Sequence, residues 1–76
     1  MQRIFVVDDE AAIAELVEVY LTNEGFSVEK FGCAADALAG VRRDPPDLAV
    51  LDVMLPDMDG FALCQEIRKD YLFPII

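Results

Sequence analysis

The chain contains no histidine, and its two cysteines, Cys33 and Cys64, fall in no C-x-x-C or Cys/His spacing. Neither a zinc site nor a disulfide framework is indicated, and a reduced, cytoplasmic setting is the expectation. Positive charge is scarce as well. Six Lys and Arg stand against fifteen Asp and Glu, for a formal net charge of -9. Such a surface repels a nucleic-acid backbone or an anionic membrane and favours cations. No apolar run approaches the roughly 20 residues of a membrane span, and Met1–Val7 leads straight into acidic residues rather than into a signal-peptide pattern. No membrane association and no nucleic-acid contact by this segment are therefore expected. At 76 residues, 55% of them hydrophobic and 28% charged, the chain has a globular balance and room for one small domain or part of one.

What is present is a repeating pattern. Arg3–Val7 is apolar at successive positions, Ile4, Phe5, Val6 and Val7, as in a strand covered on both faces, and it ends in Asp8-Asp9-Glu10. Ile13, Leu16, Val17, Tyr20 and Leu21 then form a helical stripe that stops near Gly25, a residue suited to a left-handed cap. Phe26–Phe31 reads as a second strand with mixed polarity, placed at a sheet edge. Ala34, Ala37, Leu38 and Val41 form the stripe of a second helix over Ala34–Arg42, closed by Asp44-Pro45-Pro46. Leu48–Leu51 is again continuously apolar and again ends in an aspartate, Asp52. A loop through Pro56 and Gly60 leads to a third helix carrying Phe61, Leu63, Cys64 and Ile67, and Phe73–Ile76 reads as the start of a fourth strand.

Strands and helices alternating at this spacing predict a flavodoxin-like, doubly wound parallel sheet, supplied here as three βα repeats and the beginning of strand four. All strands then end along one edge, and ligands bind there, where strand order reverses, between the first and third strands. Asp8, Asp9 and Asp52 meet at that point. Two carboxylates roughly 4 Å apart repel by about 4 kcal/mol at an effective dielectric near 20, so three of them call for a countercharge. Oxygen donors without His or a positioned Cys favour Mg²⁺ or Mn²⁺ over zinc. A metal held this way suits phosphoryl chemistry, with Asp52 as the nucleophile and Asp8 and Asp9 as ligands. Two plainer readings stand beside it. Asp9 or Glu10 could simply cap the first helix, and Asp57-x-Asp59-Gly60 with Glu66 matches part of an EF-hand loop, although Leu55 would occupy its first ligand place. Asp59 is expected as a helix cap.

The segments Val6-Val7-Asp8-Asp9-Glu10 and Leu51-Asp52-Val53-Met54-Leu55-Pro56-Asp57-Met58-Asp59-Gly60 resemble the receiver domain of bacterial response regulators, and the likeness runs over the whole chain. The resemblance implies that Asp52 is the phosphorylated aspartate, that Asp8 and Asp9 hold Mg²⁺, and that the backbone carbonyl of Met54 also meets the metal. It implies a sensor histidine kinase as phosphoryl donor and a role in two-component signal transduction. The wording of Met54–Gly60 is similar to regulators that carry a winged-helix DNA-binding domain after the receiver, which would make the longer protein a transcription regulator.

The family's fold has five strands and five helices, so residues 1–76 are read as a partial receiver domain. The family's Ser or Thr at the end of strand four and Lys at the end of strand five have no counterpart here. Thr22 and Ser27, the chain's only residues of their types, lie elsewhere. Self-association of the chain through an incompletely covered sheet is expected. A signalling module without metabolite turnover is the preferred reading. A phosphatase or mutase would want an acid where Met54 stands, and a flavin or nucleotide binder would want a phosphate cradle where Asp8-Asp9-Glu10 stands. A non-phosphorylated interaction or folding fragment of a longer regulator is the remaining alternative.

Overall fold

The computed structural model describes residues 2–76. Three strands, β1 (Arg3–Val7), β2 (Ser27–Phe31) and β3 (Leu48–Leu51), alternate with three helices, α1 (Ala11–Asn23), α2 (Ala34–Arg43) and α3 (Gly60–Arg68). The sheet is parallel throughout, in the order β2-β1-β3. The first strand is therefore central, the second lies at the edge as expected, and strand order reverses between β1 and β3.

The run of apolar residues in β1 is explained by its two covered faces. Ile4 and Val6 point to one side and pack with Ala14 of α1, joined by Val17, Leu21, Val28, Leu48 and Val50. Phe5 and Val7 point to the other and pack with Ala34, Ala37 and Val41 of α2, Ala49 of β3 and Leu63 and Ile67 of α3. Phe5 meets Phe31 edge to face at 4.8 Å between ring centroids, a pairing worth more than its area alone. One helix on one face and two on the other is the doubly wound arrangement.

Several expectations are corrected in detail. The apolar stripe of α1 that faces the sheet is Ala14, Val17 and Leu21, while Ile13, Leu16, Val19 and Tyr20 are exposed. Ala14, Val17 and Leu21 share the face of the helix turned to the sheet, and the other four project from its outer sides. Phe61 is likewise exposed on α3, since Leu63 and Ile67 fill the contact with the sheet. The second strand starts at Ser27 rather than Phe26, and the second helix runs one residue further, to Arg43. Gly25 does take the left-handed conformation, φ +92°, and the Phe26 N–H turns back to the Leu21 carbonyl.

The fourth strand is present only as a bridge. Ile75 pairs in parallel with Ala49. The N–H groups of Ala49 and Leu51 donate to the carbonyls of Pro74 and Ile76, and the Ile76 N–H donates to Ala49. The outer edge of β3 is thus partly satisfied rather than open.

Candidate functional site

The site begins where β1 stops. Val7 pairs with Phe31 on one side and Leu51 on the other, and the ladder continues for one more residue on each: the Asp8 N–H donates to the Phe31 carbonyl at 3.0 Å, and the Asp52 N–H donates to the Val7 carbonyl at 2.9 Å. Asp8 and Asp52 are consequently held as the next residues of adjacent strands, 44 positions apart in sequence. One carboxylate oxygen from each of Asp8, Asp9 and Asp52 lies within 4.8 Å of the others. Asp8 and Asp52 are half-buried and Asp9 is exposed.

Each inner carboxylate is oriented by the backbone just beyond it. Asp8 Oδ1 accepts from the Glu10 N–H at 2.9 Å, and Asp52 Oδ1 accepts from the Met54 N–H at 3.3 Å. Both are side-chain-to-backbone turns of the Asx kind, and each leaves a second oxygen unused. Among the described residues no Lys or Arg forms an ion pair with the three acids. Lys30, which lines the adjoining cleft of about 170 Å³ with Asp8, Asp9 and Gly32, is instead paired to Glu18 at 3.0 Å.

The donor set fits a small hard dication. Oxygens on an octahedral Mg²⁺ are about 3.0 Å apart when adjacent and about 4.2 Å when opposite, from bonds of roughly 2.1 Å, and the ion commonly keeps waters, so three oxygens within 4.8 Å are near enough to share one ion by drawing closer or through a retained water. Among the described residues no side chain caps the start of α1 by a hydrogen bond. Glu10 is the N-cap of α1 but its side chain makes no cap hydrogen bond, and the Asp8 bond to Glu10 engages only one of its oxygens.

The calcium-loop reading fails on geometry. Asp59 caps α3 through the Phe61 N–H, as expected. Asp57 spends both oxygens on the N–H groups of Ala34 and Ala35, at 2.8 and 2.9 Å. Those two bonds hold its carboxyl below the usual carboxylate range, the Ala34 bond contributing most.

Two contributors were not legible as part of the site. Gly60, read as a turn residue, packs directly on the backbone of Asp52 and Val53, and its N–H donates to the Val53 carbonyl at 2.8 Å. Asp57 reaches across to α2; the only signal for it is that Cys33, a poor cap, stands at the start of that helix. Met54 contributes its N–H to Asp52 while the residue as a whole is 79% exposed. On the far side of Asp52 lies a cleft of about 200 Å³ walled by Val53, Gly60, Phe61, Cys64 and Ile75.

A carboxylate cluster at the reversal point of a parallel, doubly wound sheet defines a flavodoxin-like protein with an acidic edge. The particular family follows from comparison: residues 4–76 match the response regulator receiver domain, and the chain belongs to that family, which acts in two-component systems. The chain is 55% identical over 75 residues to the regulatory protein VanRc of Enterococcus gallinarum, covering 99% of this chain and 32% of that protein. It is 45% identical to the DNA-binding response regulator MtrA of Mycobacterium tuberculosis, again covering 99% of this chain and 33% of the other. The chain thus spans about a third of the length of the curated relatives it matches. Among solved structures it is similar to the response regulator TrrA in complex with the histidine kinase ThkA (TM-score 0.93, 36% identity, 99% of this chain and 66% of that one). It is also similar to TrrA of Thermotoga maritima in complex with Mg²⁺ and beryllium fluoride (TM-score 0.88, 38% identity, 91% and 60%). Among the described residues, no helix is long and apolar enough to cross a membrane.

Proposed function

We propose that Asp52 is the phosphoacceptor of this receiver and that Asp8, Asp9, Asp52 and the Met54 carbonyl hold Mg²⁺. The observation that carries the reading is the convergence of three carboxylates within 4.8 Å at the reversal point of the sheet. The Mg²⁺ complex of TrrA and its kinase complex support the same assignment. When bound, the metal offsets the negative charge of the acids and of the incoming phosphoryl oxygens. A free oxygen of Asp52 forms a bond to phosphorus as the bond from phosphorus to the donor breaks. With a sensor histidine kinase that bond is P–N and the imidazole leaves; with acetyl phosphate it is P–O and acetate leaves. The Met54 N–H, by holding Oδ1, keeps the other oxygen turned outward for attack.

In this reading residues 1–76 are part of a receiver domain, as their 60% share of the TrrA chain supports. The protein works in the cytoplasm as a signalling module without metabolite turnover, and the longer regulator controls transcription, as the DNA-binding relative MtrA supports.

The test is intact mass after incubation with acetyl phosphate and Mg²⁺. One Mg²⁺-dependent phosphoryl adduct, absent from Asp52→Asn and from metal-free samples, is expected. No adduct under conditions that label a longer regulator with the same first 76 residues would favour an interaction fragment instead.

A further inference from the structure

Helix α2 begins without a cap of its own. Cys33 occupies the N-cap position in extended conformation and its side chain makes no cap hydrogen bond, where Ser, Thr, Asp or Asn would normally serve. The acceptors arrive from a distant part of the chain. Asp57, 23 residues beyond Ala34, takes the N–H groups of both Ala34 and Ala35. Ala34 is completely buried against the sheet, so this end of α2 is a fixed point.

Asp57 sits in the middle of the loop that joins β3 to α3, and the base of that loop is tied to the acceptor site. Met54 bridges to Asp59 in antiparallel sense, the Gly60 N–H returns to Val53, and the Met54 N–H reaches Asp52 Oδ1. The loop is therefore fastened at its base to Asp52 and at its middle to α2. The connection leading into α2 forms the opposite wall: Phe31 and Gly32 line the cleft with Asp8 and Asp9, and Phe31 accepts the Asp8 N–H.

We infer that Asp57 is a positioning residue for the metal site. Its carboxylate fixes the separation between the loop that carries Asp52 and Met54 and the connection that abuts Asp8 and Asp9, so that the oxygens are set before a cation arrives. The inference rests on the function proposed above and adds a residue that touches neither metal nor phosphoryl group. Groups that orient metal ligands from behind typically change affinity by about 10- to 100-fold when removed, and the effect expected here lies at the lower end, because Asp57 acts through a loop.

The experiment is Mg²⁺ titration by calorimetry of the wild-type chain, Asp57→Ala, Asp57→Asn and Ala39→Gly, with acetyl phosphate labelling rates measured alongside. Asp57→Ala is expected to raise the Mg²⁺ Kd by about tenfold and to slow labelling at limiting Mg²⁺, with most of the rate restored at saturating Mg²⁺. Asp57→Asn keeps one acceptor oxygen and is expected to fall between. Ala39→Gly weakens the exposed side of α2 without touching the loop and is expected to leave the Kd unchanged. Wild-type affinity in both Asp57 variants would overturn the inference. So would an equal loss in Ala39→Gly, which would reduce Asp57 to a helix cap. If circular dichroism shows Asp57→Ala unfolded, the comparison of Asp57→Asn with Ala39→Gly decides alone. A wild-type chain that neither binds Mg²⁺ nor becomes labelled would instead overturn the functional reading beneath it.

Discussion

Gly60 lies so close to the backbone of Asp52 that a Cβ at residue 60 would overlap the Asp52 carbonyl oxygen and approach the Val53 Cα to 2.8 Å. Both neighbours are backbone, so neither can swing aside. Gly60→Ala is therefore expected to destabilise the chain by about 1–3 kcal/mol, the usual range for overpacking, and to displace Asp52 from the acid pair. Urea unfolding and acetyl phosphate labelling check the two effects separately. A fully stable, normally labelled Gly60→Ala chain would contradict the packing.

The acid triad predicts effects of opposite sign with and without metal. Three converging carboxylates repel one another, so Asp9→Asn is expected to raise the melting temperature in EDTA while lowering the gain in melting temperature that Mg²⁺ produces. Asp9 is the best position for the test because it is exposed and makes no hydrogen bond that the fold needs. Parallel melts with EDTA and with Mg²⁺ measure both signs. A variant that melts lower than wild type in EDTA would show that the acids are not in mutual repulsion.

Asp57 predicts part of the acid limb of stability. Its carboxyl is lowered by the N–H groups of Ala34 and Ala35, and a carboxyl lowered on folding adds stability that is fully present above its unfolded value and is lost as pH falls through the folded one. Glu66, lowered chiefly by its hydrogen bond from Lys69, contributes in the same window and in the same direction. Asp57→Asn is therefore expected to reduce, without abolishing, the fall in stability below about pH 4. Urea midpoints measured from neutral pH down to the acid limit, for wild type and variant, provide the check.

The outward stripe of α1 predicts association. Leu16 is 71% and Tyr20 70% exposed, and Ile13 and Val19 lie beside them. Clustered apolar side chains of this kind mark interaction surfaces. Self-association is the expected outcome, read by sedimentation velocity as a mass that rises with concentration, and Leu16→Glu tests whether this helix takes part by shifting the mass toward the monomer. Because Leu16 is outside the core, its replacement is expected to change stability by no more than about 0.5 kcal/mol. Concentration-independent monomers in the wild type would refute the proposal.

The central features of the fold were legible because they follow from two signals of very different period. The unbroken apolar run Ile4–Val7 has one explanation, cover on both faces, and its abrupt end at Asp8 marks the sheet edge. The same pattern at Leu48–Asp52 fixes the second half of the site. The helices were less legible in detail. In α1 both Leu16 and Val17 suit a helical stripe, and only the way the helix is laid on β1 and β2 decides that Val17 is covered and Leu16 is not. Asp57 was hidden for a different reason. Its partners, Ala34 and Ala35, contribute backbone N–H groups, and a bond to backbone leaves no mark on the identity of the residue that donates it.

The rim of the site has a property that the triad does not share. Val53, Met54 and Phe61 stand around Asp52 with roughly half or more of their surfaces exposed, and none belongs to either core cluster. The oxygens below them are set by strand register and by backbone N–H groups, which depend little on which side chains these neighbours carry. The acid cluster and the exposed rim above it are thus specified by separate parts of the sequence. Exchanging the three rim residues is therefore expected to leave the strand register and the backbone hydrogen bonds of Asp8 and Asp52 as they are.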